Sequence, residues 1–179
     1  FIFSRRSCDK AVKTIASTCL VNQEERKSIQ DRFEKYVILN SEGLRDDLHI
    51  QALFNGVASH HAGVLPAWKE LIEELFQEGL IKVVFATETL AAGINMPART
   101  TIISTLSKRS DNGHRQLMGS EFLQMAGRAG RRGLDSRGYV VTLQTRFEGV
   151  REAGQLATSP ADPLISQFTP SYGMVLNLL

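Results

Sequence analysis

The chain has 179 residues, 42% hydrophobic and 22% charged, a globular composition that fits one domain with a sizeable core and excludes a disordered polymer. A net charge of +2 and a pI near 8.7 are mildly basic and neither demand nor exclude a nucleic-acid partner. Cys8 and Cys19 are the only cysteines, which excludes a disulfide framework or a cysteine metal pattern, and no run approaches the ~18 apolar residues of a membrane span.

In chain order, "FIF" predicts a short apolar strand. A helix follows, capped near Ser7 or Asp9, with Val12, Ile15, Ala16 and Cys19 on one face. The charged stretch Gln23 to Asn40 is helical by Ile29, Phe33, Tyr36 and Val37 and reads as an insertion ended by "NSEG". "LRDDLHIQALF" predicts a weaker helix, and "GVASHHAG" a strand running into a turn. "LPAWKELIEELFQEG" is the strongest helix: Pro66 suits its first turn, Gly79 its end, and Trp68, Leu71, Ile72, Leu75 and Phe76 form one apolar stripe. "IKVVFA" is nearly all apolar, as a central parallel strand buried on both faces would be. "TTIISTL" and "YVVTLQT" are two more strands, flanking an arginine-rich segment. This alternation predicts an α/β fold, a parallel sheet with helices on both faces. "SPADPLISQFTPSYG" reads as a linker, and "YGMVLNLL" as the start of an apolar helix. Both ends read as cut from something larger, so the lack of a visible targeting signal carries no weight.

The segment "GSEFLQMAGRAGRRG" poses the main question of chemistry. Its part "GSEFLQMAGRAGR" predicts a helix with Ser120 as N-cap and Glu121 in the first turn. At roughly 100° per residue, Gln124, Arg128 and Arg131 share an arc of roughly 60°, opposite an apolar back of Phe122, Leu123, Met125, Ala126 and Ala129. Gly127 and Gly130 each cost about 1 kcal/mol in a helix interior, so close approach of a backbone or ligand is the expected reason for them. A solvated basic face is the alternative. Thr105 to Gly133 carries six basic and two acidic residues, whereas Asn22 to Ile50 carries five basic and seven acidic ones. The positive charge therefore gathers beside the arginines. In "TETLAAGINMPART", Thr87 and Thr89 offer hydroxyls near a helix start, beside Gly93 and Asn95. That suits a phosphate seat or, equally, a plain helix cap. His60 and His61 are adjacent on a strand and point to opposite faces, which argues against a shared metal.

"FIFSRR", "VASHHAGVLP", "ATETLAAGINMPART" and "QMAGRAGRRG", in this order on an α/β frame, resemble the second RecA-like domain of superfamily-two helicases. The match is closest to the superkiller-type DExH-box RNA helicases, and the wording is similar to their plastid and cyanobacterial branch. The resemblance implies a C-terminal RecA-like domain over residues 1–158 with a helical insertion at about 22–55. Residues 159–179 would then be a linker and the start of a winged-helix region. It also implies that Gln124, Arg128 and Arg131 face ATP, with Arg131 as the arginine finger. By the same resemblance Gly93, Asn95 and Gly127 belong to the nucleotide and domain interface. Ser4, Arg5, His61, Thr87 and Thr89 would meet the nucleic-acid backbone. The implied partners are RNA, the first RecA-like domain and the winged-helix region of the same chain, with no membrane. ATP and Mg²⁺ would be held mainly by the first RecA-like domain, because the sequence has no GxxxxGK[ST] loop and no DExH box. A DNA-repair helicase or a non-catalytic nucleic-acid scaffold are the rival readings. A scaffold has no need of Gln124, Arg128 and Arg131 together. The implied location is chloroplast or bacterial cytoplasm, or nucleus or cytoplasm for the eukaryotic branches.

Overall fold

The computed structural model describes residues 1–40, 46–91, 95–110, 113–160 and 171. Helix α1 (Arg5–Thr14) starts earlier than the sequence suggests: Ser4 is its N-cap, its hydroxyl accepting the Ser7 N–H at 3.3 Å. Asp9 is not free to cap, because its carboxylate is taken by side chains from other elements. Val12 and Ala16 are buried, whereas Cys19 lies beyond the helix and is exposed. Helix α2 (Gln23–Leu39) opens with a reciprocal cap, Asn22 Oδ1 accepting the Glu25 N–H at 2.8 Å and Glu25 Oε2 accepting the Asn22 N–H at 2.9 Å. Residues 41–45, which include the "NSEG" punctuation, lie outside the described residues.

Helix α3 (Asp47–Phe54) leads into strand β1 (Val57–His60), and α4 (Pro66–Gln77) into strand β2 (Val83–Ala86). The expected signals of α4 operate as such: Pro66 is at N1, and Gly79 closes the helix at φ +75°. β1 and β2 pair in parallel, Val57 opposite Val83. A 3₁₀ turn (Glu88–Ala91) follows, then strand β3 (Thr100–Ile103). The hairpin β4 (Ser107–Ser110) and β5 (Gly113–Gln116), helix α5 (Gly119–Ala126), strand β6 (Tyr139–Thr142) and helix α6 (Val150–Ala157) complete the order. β3 and β6 pair in parallel.

"FIF" is not a full strand, yet its backbone joins the two strand pairs. Ile2 N–H donates to the Ala86 carbonyl at 2.8 Å, Phe1 N donates to the Ile102 carbonyl, and Phe1 accepts from Ser104 N–H at 3.1 Å. The strands therefore run β1, β2, Phe1–Ile2, β3, β6 as one parallel layer. β2 is less buried than its apolar run suggests: only Ala86 is buried. A cleft of about 380 Å³ opens beside it, lined by Phe76, Val84, Phe85, Ile102 and Leu143 among others.

The larger core cluster contains Ile29, Tyr36, Leu53, Trp68, Ile72 and Leu75. Phe33 and Tyr36 of α2 meet Trp68 edge-on, with centroids 6.1 and 5.4 Å away. The charged stretch read as an insertion thus shares the core of α4. A second cluster joins Ile103, Leu106, Phe122, Met125 and Leu156, which explains how α6, a helix not foreseen in the sequence, is held. The linker and apolar tail fall almost wholly at 161–179, where only Ser171 is described.

Candidate functional site

Three of the residues expected to meet a nucleic-acid backbone come together. Arg5 at the start of α1 lines a surface pocket of about 200 Å³ with Phe3, Thr87, Thr89, Lys108 and Arg109. Thr87 follows the carboxyl end of β2, where ligands gather in parallel α/β sheets. Its hydroxyl lies 2.9 Å from that of Thr89. Arg5 and Arg109 are exposed and have no ion-pair partner among the described residues. Lys108 is paired with Glu88 and with Glu121, the latter at 2.8 Å. The pocket thus presents two guanidinium groups and a mutually bonded pair of hydroxyls beside a Glu88 carboxylate neutralised by Lys108, which leaves the arginines as the donors for a phosphate. Ser4 is occupied as the α1 cap.

His61 does not join this pocket. It is buried, Gly63 N–H donates to its Nδ1 at 3.1 Å, and its Nε2 lies 3.1 Å from Asp9 Oδ1. The backbone donor fixes the tautomer, with the proton on Nε2 facing Asp9. The same Asp9 oxygen accepts from Ser59 Oγ at 2.8 Å and meets His49 Nε2 at 3.1 Å. Asp9 therefore ties α1, and with it Arg5, to β1 and α3. His60 points the other way, to Glu73 of α4 at 2.7 Å. Burial lowers its pKa, outweighing the carboxylate. The two adjacent histidines thus face opposite ways, His60 to Glu73 and His61 to Asp9.

The arginine segment departs from the helical projection. Helix α5 begins at Gly119 with Met118, not Ser120, as its N-cap, and it ends at Ala126. Arg128 and Arg131 lie beyond it, so they share no helical face with Gln124. The reason is a tertiary one. Ala98 N–H donates to the Arg128 carbonyl at 2.9 Å, and Gly130 N–H donates to the Ala98 carbonyl at 2.7 Å. Gly130 takes φ +90°, closed to a helix and costly for other residues. The backbone finds better partners on Ala98 than in another helical turn.

Side chains tighten the same junction. Arg128 Nη2 donates to the Ala91 carbonyl at the end of the 3₁₀ turn. Arg131 Nε and Nη2 both donate to Asp135, each at 2.9 Å. Gln124 is exposed on α5, and Gly127 is the α5 C-cap. Asn95 is exposed, its carbonyl accepting from Gln77 at 3.3 Å. Gly93 lies outside the described residues. The loop bearing the arginines is thus stitched to both Ala91 and Ala98, which bracket Gly93 and Asn95.

Residues 43–133, about half the chain, match the helicase conserved C-terminal domain. The chain belongs to that helicase domain family. Its relatives include the DExH-box ATP-dependent RNA helicase DExH15 of Arabidopsis thaliana, described as chloroplastic and 53% identical over all 179 residues. The probable helicase HelY of Mycobacterium tuberculosis is 42% identical and the antiviral helicase SKI2 of Saccharomyces cerevisiae 41% identical, each across 100% of this chain. The chain spans only 15%, 20% and 14% of those three relatives. The resemblance to the superkiller-type DExH-box helicases drawn from the four motifs holds.

Within this helicase C-terminal domain, Glu121 connects the hairpin to α5. It receives a two-pronged ion pair from Arg115 at 2.9 and 2.6 Å, Lys108 at 2.8 Å and the Met118 N–H at 2.9 Å. Burial pushes its carboxyl up, but Arg115, Lys108 and that N–H reverse this and hold it at about 2. With Arg131 paired to Asp135, three of the six basic residues counted from Thr105 to Gly133 are therefore internally compensated, while Arg109 and Arg132 are exposed with no ion-pair partner among the described residues. Arg109, counted only in the charge sum, Asp9, read only as a helix cap, and Asp135 were not expected at the site. The Asn112-Gly113 pair is a hairpin signal that leads to Arg109, and Asp135 stands four residues after Arg131. No comparable sequence signal marks Asp9. No helix among the described residues is long and apolar enough to cross a membrane.

Proposed function

We propose that this chain is the C-terminal motor half of an ATP-dependent RNA helicase. The observation that carries this reading is the 3₁₀ turn Glu88–Ala91. At one end, Thr87, Glu88 and Thr89 line the Arg5/Arg109 pocket. At the other, Ala91 accepts from Arg128 of the arginine loop. One short turn thus contacts both a phosphate-suited pocket and the loop whose arginines would face nucleotide. A motor needs such a linkage between nucleic acid and ATP, and a scaffold has no use for it. The names of the DExH15 and SKI2 relatives favour helicase activity, and that of DExH15 favours RNA as substrate and, with its identity, the plastid branch.

In this reading ATP with Mg²⁺ is held by the first RecA-like domain, and bound Mg²⁺ neutralises phosphate charge there. Arg131 and Arg128 approach from this domain, Gln124 contributes from α5, and Gly93, Asn95 and Gly127 shape the interface. Phosphoryl transfer calls for charge stabilisation and positioning, which a guanidinium fork supplies. Arg5, Thr87, Thr89 and, added from the geometry, Arg109 grip the RNA backbone. Ser4 and His61 serve that grip indirectly: Ser4 caps the helix that carries Arg5, and His61 holds Asp9 of the same helix against β1.

Two measurements test this. The isolated chain, which has no phosphate loop, is expected to hydrolyse no ATP above background with or without RNA. RNA-stimulated hydrolysis by the purified fragment contradicts the half-site reading. Its RNA binding is expected to be weak, tolerant of sequence and strongly weakened by salt, because phosphate contacts carry no sequence information. Arg5→Ala and Arg109→Ala should each reduce the slope of affinity against salt by about one released counterion. Tight, salt-independent binding to one sequence, or a marked preference for DNA over RNA, removes the RNA-backbone assignment.

A further inference from the structure

Arg131 is the group the proposed reading asks most of, yet it is not left to find its own orientation. Its Nε and Nη2 donate to Asp135 Oδ2 and Oδ1, both at 2.9 Å, and its backbone N–H donates to the same Oδ2 at 2.9 Å. Asp135 N–H returns a bond to the Arg131 carbonyl at 2.9 Å. The two partners differ sharply in exposure: the Arg131 side chain is 40% exposed and that of Asp135 only 8%. The carboxylate is the fixed, buried end and the guanidinium is the presented one.

Guanidinium has five N–H donors in a rigid plane. Two are spent on Asp135, which leaves one on Nη2 and both on Nη1, along the edge turned away from the carboxylate. We infer that Asp135 is a positioning residue for ATP hydrolysis: it clamps one edge of Arg131 so that the opposite edge is aimed in advance at a phosphate group. This rests on the reading of Arg131 as a phosphate-facing arginine. The clamp costs some positive charge, since the pair is formally neutral. It gains pre-organisation, so the long side chain does not have to be ordered at the moment of reaction. Gly130 and Gly133, at φ +90° and +78°, flank Arg131 and let the chain turn back within four residues.

Asp135 has a structural duty as well, because it caps the Arg131 N–H, and the test separates the two. In Asp135→Asn the amide oxygen keeps the backbone N–H and the Nε bond, while the amide NH₂ is set against Nη2, donor to donor. In Asp135→Ser the hydroxyl keeps only the backbone bond. In a full-length helicase carrying this domain, both variants are expected to lower kcat by roughly 10²-fold, the scale of a small misplacement. KM for ATP, RNA affinity and the thermal midpoint should stay close to those of the parent. Added to Arg131→Ala, neither should cost further activity. If Arg131→Ala is itself without effect, the phosphate-facing reading falls, and this inference with it. If Arg131→Ala is severe but both Asp135 variants keep or raise kcat, the reading stands and the clamp is overturned. A further loss on the Arg131→Ala background also overturns it, since Asp135 would then act through the fold.

Discussion

Arg131→Ala in the full-length enzyme is expected to lower kcat for ATP hydrolysis by roughly 10³-fold or more, the scale of arginine-finger effects. RNA affinity without nucleotide should survive, because in the proposed role the side chain would serve the transition state rather than the ground-state complex. Arg132→Ala, at an exposed position, is expected to stay within about tenfold, or roughly 1.4 kcal/mol of barrier. Arg128→Ala should be severe in another manner. Its guanidinium holds the Ala91 carbonyl, and although the backbone bond from Ala98 N–H survives the substitution, loss of the side chain releases the turn that borders the pocket of Arg5 and Arg109. Arg128→Ala should therefore depress both turnover and RNA coupling, where Arg131→Ala depresses turnover alone. Steady-state ATPase and RNA affinity for the three variants check the order. If Arg132→Ala is the most damaging, or Arg131→Ala mainly abolishes RNA binding, the cluster is a nucleic-acid patch instead.

What the sequence made legible was local. Helix α4 carries its start, stripe and stop within its own residues, and the structure places Pro66, the buried Trp68, Leu71, Ile72 and Leu75, and Gly79 accordingly. The arginine segment was misjudged in shape because its periodicity does continue past Ala126. The bonds that end the helix come from Ala98, some thirty residues earlier in the chain, and no local window contains them. The same holds for His61. The sequence puts it on a strand running into a turn and the resemblance puts it at the nucleic-acid backbone, while its ring is buried against Asp9 from α1. The charge count from Thr105 to Gly133 was right as a sum, yet it cannot reveal that Lys108 and Arg115 converge on one glutamate. Motif order identified the family, and tertiary contact determined which atoms of each motif are available.

Gly138→Ala is expected to be the most damaging single-methyl change in this domain, although Gly138 lies on no recognised motif and is exposed. A Cβ built there would lie 2.6 Å from Ala129 C and from Gly130 N, and 2.7 Å from Ala129 O. These are backbone atoms, and they have no room to retreat. Ala98 holds them from the other side, through bonds of 2.9 Å to the Arg128 carbonyl and 2.7 Å from Gly130 N–H. The methyl must therefore displace either the start of β6 or the arginine loop. Overpacking of this kind costs about 1–3 kcal/mol, and at about 2–4 °C per kcal/mol for a chain of this size the thermal midpoint should fall by roughly 2–12 °C. Because Arg128 and Arg131 ride on the displaced loop, ATP turnover in the full-length enzyme should fall by about 10²-fold even at temperatures where the protein stays folded. Gly154→Ala supplies the control: that glycine sits inside α6 with nothing within 4 Å of the added carbon. There the substitution should leave activity intact and hold or slightly raise the midpoint. Thermal melts and ATPase assays on the two variants decide the matter. A Gly138→Ala enzyme with parental turnover and midpoint would mean that the loop is free to move, and that its contact with Ala98 does not govern how the arginines are presented.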